Sequence, residues 1–498
     1  MMPLDTLGYH LLPRVLYSTL EIMLLFLCVC LSLSVGSAAL PCNVQGCQPN
    51  RQYVFDEVEG DSSAEIEWKI QGHDPTGLGC VSTSKKVACP LKSNSAEKPG
   101  LIVLNVHGET SWPSHDLQSP SLPLFYEFEG MIASDGQLIV GYFYNGSSRG
   151  RPIKIVYPNP VFSVTLTESD VIFLAFRSGL LYTFDIDAIP IASIELKTAI
   201  DGVNGTFLPY IAPAVGGPAG ETFYILTLFE PEEKMLSEAP RHVHRLYAIN
   251  MTHLMAPRMN VTWYYEFESH EDVVKDPILL YVDEKLFFRA FDGARSTLYA
   301  VAENGYSGKK IWEATFDHPI QTVSYFKSLS SSGQGMLYVS LNDAGDTALL
   351  IVDPVDAAVR GTIFLSRLFG FDSLLVTSDI MIASDEKNPS KSPHIFFGYQ
   401  AGEDLFGVAG VAVPSSSDAQ ANWNVSSPDG NAVTGQLANF DSDIGKPSRQ
   451  IVCTTRKTIF SIRLVGKSIT CVRPSPAQYL PRSFCVSPER RAIPCCAR

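Results

Sequence analysis

Apolar positions in this chain fall in short runs of four to eight residues, such as "VIFLAF" at 171–176, "ILLYV" at 278–282 and "LFFRAF" at 286–291, separated by Gly, Pro, Asn, Asp and Ser. Runs of this length, rich in β-branched and aromatic residues and bounded by turn formers, predict β-strands. Many are continuous rather than alternating, which predicts strands buried on both faces. Long amphipathic helical patterns are nearly absent.

The strands come in a repeating order. Residues 298–316, "LYAVAENGYSGKKIWEATF", give an apolar strand with Tyr299, a polar turn, and a strand carrying Trp312 and Phe316. Residues 245–268 repeat that order with Tyr247, Trp263 and Phe267, at the same Trp-to-Phe spacing. Weaker copies are anchored at Tyr182, Leu350, Phe406 and Phe460, so the steps between the six anchors are 65, 52, 51, 56 and 54 residues. Leu138 and Ile102 anchor two further units, which makes eight. The long step is assigned to an exposed excursion over 217–244, and "SLSSSGQG" and "SDEKNPSKSP" read as polar loops.

A period near fifty, with about four short strands per unit, predicts an all-β fold: a seven- or eight-bladed β-propeller of four-stranded antiparallel blades, with eight favoured. The segment "EIEWKI", with Trp68, offers a lone outer strand that would complete the last blade and close the ring.

The order "LYAV", Ser307-Gly308-Lys309-Lys310, "IWEATF", and the similar "RLYAIN" with "VTWYYEFE", resemble the repeat of pyrroloquinoline-quinone-like (PQQ-like) β-propellers. The resemblance implies that Trp263 and Trp312 dock between blades rather than stack on a cofactor. The family includes quinoprotein dehydrogenases, which hold the quinone at the ring centre with calcium, an acidic base, a stacked Trp and often a disulfide between adjacent cysteines. Cys495 and Cys496 are adjacent, but they stand outside any repeat, and no calcium or base positions carry over. No cofactor is expected; quinone and calcium belong only to the alternative of a PQQ-dependent oxidoreductase.

Charge and address narrow the classes further. A formal net charge of −14 argues against nucleic acid and anionic membrane surfaces as partners. Arg14, the apolar run 22–40 and the small residues Ser37, Ala38 and Ala39 predict a signal peptide over 1–39, with an uncleaved signal anchor as the alternative. No later segment is apolar for long enough to span a membrane. Five sequons, at Asn145, Asn204, Asn250, Asn260 and Asn424, predict N-glycosylation in the secretory pathway, extracellular or luminal; Asn388 is excluded by Pro389.

Cys28 and Cys30 lie in the leader. Cys42, Cys47, Cys80 and Cys89 stand near the start and Cys453, Cys471, Cys485, Cys495 and Cys496 near the end. In an oxidising compartment these nine read as disulfide candidates that fasten the two ends of the ring, with at least one left over. Zinc is disfavoured by the wide spacing within "CNVQGC" and "CVSTSKKVAC".

The expected organisation is a leader over 1–39, a cysteine-containing segment over 40–100 with a strand available for closure, propeller repeats over 100–465, and a cysteine-rich tail over 466–498. Asp441, Asp443 and Gly445 imitate the start of an EF-hand loop, but no Glu stands at its twelfth position. His242 and His244 share one strand face, and no third metal ligand is identifiable, so they read as surface histidines. With no catalytic residue assigned, the expected function is a secretory-pathway scaffold that binds a protein or glycan partner. The alternatives are the quinoprotein-like oxidoreductase and a luminal folding or assembly factor.

Overall fold

The structure, a computed structural model, describes residues 54–57, 63–465, 484–486 and 492–494, apart from stretches 94–96, 127–129, 156–164, 167–170, 186, 188, 218–220, 233–241, 253–256, 270–277, 293–294, 328–334, 344, 385–392, 414–418 and 441–448. Eight four-stranded antiparallel sheets follow one another along the chain and form the blades of a propeller. Blades one to seven span 81–114, 124–154, 165–195, 214–269, 279–316, 320–364 and 375–426. The only helix among the described residues, Leu365–Phe369, links blades six and seven. All eight sequence anchors, Ile102, Leu138, Tyr182, Tyr247, Tyr299, Leu350, Phe406 and Phe460, fall in the third strand of their blade.

Blade eight is assembled from both ends of the described chain. Its three inner strands are Ala438–Phe440, Gln450–Thr454 and Thr458–Val465, and its outermost strand is β2, Ser63–Gln71. Arg463 reaches back to Glu67 at 3.0 Å across the same pair. Blade one then starts at Val81, within the segment assigned to 40–100, rather than near residue 100.

The apolar core lies in layers between consecutive blades rather than at one centre. Phe173 of blade three stacks on Phe223 of blade four with centroids 4.1 Å apart, and Tyr224 of blade four stacks on Tyr281 of blade five at 5.1 Å. The layer spanning blades seven, eight and one contains Met381, Phe440, Cys453, Phe460, Cys80 and Ile102. Each sheet is therefore covered on both faces, which is why its strands read as unbroken apolar runs.

One expectation changes. The extra length in blade four is not one excursion over 217–244, because Thr222–Pro231 is that blade's second strand. The added element is a hairpin, Lys197–Ile200 with Val203–Pro209, that pairs with the extended end of this strand. Of the disulfide candidates, Cys80 bonds to Cys89 within blade one's entry, and Cys453 is a buried free thiol. Cys453 shares its apolar layer with Cys80 and Cys89, whose sulfurs are bonded to each other, and β2 closes the ring through main-chain pairing. Cys42, Cys47, Cys471, Cys495 and Cys496 lie outside the described residues; Cys485 stands in a short hairpin, Phe484–Val486 with Ala492–Pro494.

Candidate functional site

Antiparallel connectivity gives the ring two unlike faces. Turns between strands one and two and between strands three and four open on one face, called here the turn face. Turns between strands two and three, and the linkers between blades, open on the other, the linker face.

A second N-terminal strand, β1, Val54–Glu57, pairs in parallel with Met381–Ser384 on the inner edge of blade seven. Inner strands of a propeller border its central channel, so β1 runs within that channel from the linker face towards the turn face. It then leads to β2, which starts on the turn face. The channel edge of blade seven is thereby capped by the chain itself.

The five tryptophans all lie in outermost strands: Trp112, Trp263, Trp312 and Trp423 in blades one, four, five and seven, and Trp68 in β2 of blade eight. Beside each one, the register between third and fourth strands slips by one residue. Such a bulge bends the strand and re-aims the side chain. Four of the indoles dock on the third turn of the next blade. Trp68 Nε1 donates to the Val106 carbonyl at 3.0 Å, Trp112 to Tyr144 at 3.3 Å and Trp312 to Pro354 at 3.2 Å. Trp263 lies over Gly308 of blade five.

Glycine is required beneath two of these rings. Gly108 and Gly146 have φ of +75° and +88°, and a Cβ on Gly108 would stand 2.6 Å from the Trp68 ring; Gly146 meets Trp112 in the same way. Trp263 and Trp312 thus dock between blades, as their repeat position implies.

Other joints use charge. Arg149 of blade two bonds Asp187 in blade three's third turn at 2.7 Å. Between blades seven and eight, Asp429 accepts from the Thr455 and Thr458 hydroxyls at 2.6 and 2.8 Å. Burial alone would raise the Asp429 carboxyl, but hydrogen bonds from Thr455, Thr458, Ser427 and the Asn431 amide outweigh it and hold the group below its ordinary range.

A quinone site would need a stacking Trp and an acidic calcium set at the ring centre. No Trp stands on an inner strand, and described inner strands such as Leu124–Tyr126, Ala214–Gly216 and Leu279–Val282 are apolar and buried. Among the described residues no group of three His, Cys, Asp or Glu could hold a metal ion.

His244 is not on the surface. It is buried between Phe267, stacked at 5.2 Å, and Tyr210, edge-on at 5.6 Å. Burial, with a smaller contribution from neighbouring His242, pushes its pKa down to about 4. Sequence periodicity placed both histidines on one face correctly, but it did not show that the Tyr210 linker covers that face. Asp441, Asp443 and Gly445 lie outside the described residues.

The sequons map to the periphery. Asn145 is exposed in blade two's third turn, Asn204 on the added hairpin, Asn260 and Asn424 on the outermost strands of blades four and seven, and Asn250 is half-buried in the third strand of blade four.

Exposed large apolar side chains divide unevenly between the faces. Phe143, Ile189, Tyr306, Val355 and Val465 sit at third-strand ends or third turns, and Val359 starts a fourth strand, all on the turn face. Tyr306, at 86 % exposure, is the most exposed of them. The linker face has Leu78 and Leu405. The sequence does not reveal this division, because it depends on which turns share a side of the ring.

No protein-family model matches this sequence, and a search of curated proteins returns no match. Solved structures with a similar fold include the Dos1 propeller, with 11% identity over 81% of this chain and 96% of that one and a TM-score of 0.51. The quinohemoprotein alcohol dehydrogenase ADHIIG of Pseudomonas putida HK5 aligns with 8% identity over 90% of this chain and 84% of its own, at a TM-score of 0.49. The C-terminal WD40 domain of Sif2 aligns with 10% identity over 83% of this chain and 100% of its own, at 0.48. At 11% identity the likeness to the Dos1 propeller shows the propeller fold and nothing finer.

Proposed function

We propose that this chain is a glycosylated scaffold of the secretory pathway that binds a protein partner on its turn face, built on the repeat of PQQ-like propellers. The observation that carries the reading is the uneven division of exposed large apolar side chains, with Phe143, Ile189, Tyr306, Val355, Val359 and Val465 on the turn face against Leu78 and Leu405 on the linker face. Blades five and six contribute three of the six, Tyr306, Val355 and Val359, and neither blade carries a sequon. The docked tryptophans support the PQQ-like assignment of the repeat. The leader and the sequons support the address. No observation favours a quinone-dependent oxidoreductase, because the indoles serve the joints between blades.

The test is affinity capture from a eukaryotic secretory extract after cross-linking, with the native chain beside the double variant Tyr306→Asp, Val355→Asp. Both positions are exposed, so the variant is expected to keep the native melting temperature and lose the cross-linked partner. Retention of the same partner by a folded variant would reject the turn face as the binding surface.

A further inference from the structure

We propose that the folded chain carries N-glycans on Asn145, Asn204, Asn260 and Asn424 and none on Asn250. The inference rests on the secretory reading above and adds to it a distinction that the five sequons, alike in sequence, do not contain.

The distinction comes from blade four. Thr222, Asn250 and Asn260 are directly paired across its second, third and fourth strands. Directly opposed residues of antiparallel strands project from the same face of a sheet. Thr222 alternates with Tyr224, whose ring stacks on Tyr281 of blade five, so this row faces the neighbouring blade. Asn250 is the middle member. The Thr222 hydroxyl, itself buried, donates to Asn250 Oδ1 at 2.5 Å, and Asn260 stands on the other side.

Glycan transfer joins Nδ2 of the asparagine to C1 of an oligosaccharide carried on a polyprenyl pyrophosphate. The C1–N bond forms as the C1–O bond breaks, the pyrophosphate leaves with the electron pair, and the Nδ2 proton passes to the transferase's base. The product at Asn250 would place a sugar chain between Thr222 and Asn260, in the seam that Tyr224 and Tyr281 close. A chain so modified cannot dock blade five on blade four.

The other four sites impose no such conflict. Asn145 is exposed, and the bonds of its turn, from the Ser147 amide at 3.0 Å and the Ser147 hydroxyl at 2.7 Å, go to its Oδ1 and not to the Nδ2 that would carry the sugar. Asn204, Asn260 and Asn424 are exposed on a hairpin and on outermost strands, where a sugar extends into solvent.

The experiment is site mapping of the full chain secreted from a eukaryotic host. Glycans are released enzymatically in heavy-oxygen water, which marks each formerly modified asparagine as aspartate, and tryptic peptides are sequenced by mass spectrometry. Cleavage after Arg258 separates Asn250 from Asn260. The expected result is label at 145, 204, 260 and 424 and an unlabelled Asn250. As a second measurement, Asn250→Gln should leave the mobility of the secreted glycoprotein unchanged, whereas Asn260→Gln should shift it by one glycan. Label on Asn250 in folded, secreted protein overturns the inference while leaving the secretory reading standing, and a bare asparagine among the other four overturns the assignment at that position. Absence of label at all five in secreted chain rejects the glycosylation on which the inference rests, whereas failure of the host to secrete the chain rejects the secretory reading itself.

Discussion

The indole Nε1–H of Trp68 donates to the carbonyl of Val106 at 3.0 Å, which links the outermost strand of blade eight to the third turn of blade one. The ring is thus sealed by the same device that joins blade one to two and blade five to six.

Removing that indole should open the seal. Trp68→Ala is expected to cost about 2–3 kcal/mol, below the loss for a fully buried aromatic because the ring is only half-buried. Gly108→Val, which drives a side chain into the same ring, should destabilise in the same direction. Denaturant unfolding followed by circular dichroism measures both; a loss below about 1 kcal/mol for Trp68→Ala would show that the seal does not rest on the indole.

Stability should fall as the pH drops below neutrality. His244 has its pKa lowered from 6.5 to about 4 in the folded chain, so between those values the unfolded chain binds more protons. The native state is then favoured fully above about pH 6.5 and progressively less down to about pH 4, by up to about 1.4 kcal/mol per pH unit. His244→Phe, which cannot take up a proton, should flatten the melting temperature between pH 7 and 5 relative to the native chain. An unchanged slope in that variant would exclude His244 as its source.

The thiols should behave oppositely to one another. Burial raises the pKa of Cys453 well above that of a free thiol, so it is expected to stay unmodified by maleimide in the native state and to react once the chain is unfolded. Replacing Cys80 and Cys89 by Ser should lower stability by about 2 kcal/mol, the modest end for a short loop, while leaving Cys453 shielded. Rapid labelling of native Cys453 would contradict its place in the layer between blades.

The fold was legible because third strands are where a propeller concentrates its signal. Tyr299 and Tyr247 stand in strands with neighbours on both sides and blades on both faces, so their sequence is held to an apolar pattern that recurs at the period of the blade. Trp68 was recognisable for the related reason that its strand carries the outer-strand signature without a unit of its own. By contrast, nothing in "VFDE" distinguishes a strand that lies in the channel, since a pairing with Met381–Ser384 leaves no local trace. The hairpin at 197–209 was missed because its extra residues precede the blade, whereas the acidic, Pro-containing stretch after Gly217 drew the assignment. His244 shows the same limit: periodicity gives the face of a residue, and only the packing of Tyr210 tells whether that face is covered.

The pairing of β2 with Thr458–Val465 also dictates an order of events during synthesis. Glu67 emerges from the ribosome 396 residues ahead of Arg463, so the first full-length propeller strand to be made is the last to find its neighbour. Until translation passes residue 465, β2 and the nascent eighth blade each present an open strand edge, and open edges recruit other chains. Emergence of the strand that ends at Val465, rather than completion of any earlier blade, is therefore the moment at which both open edges can close.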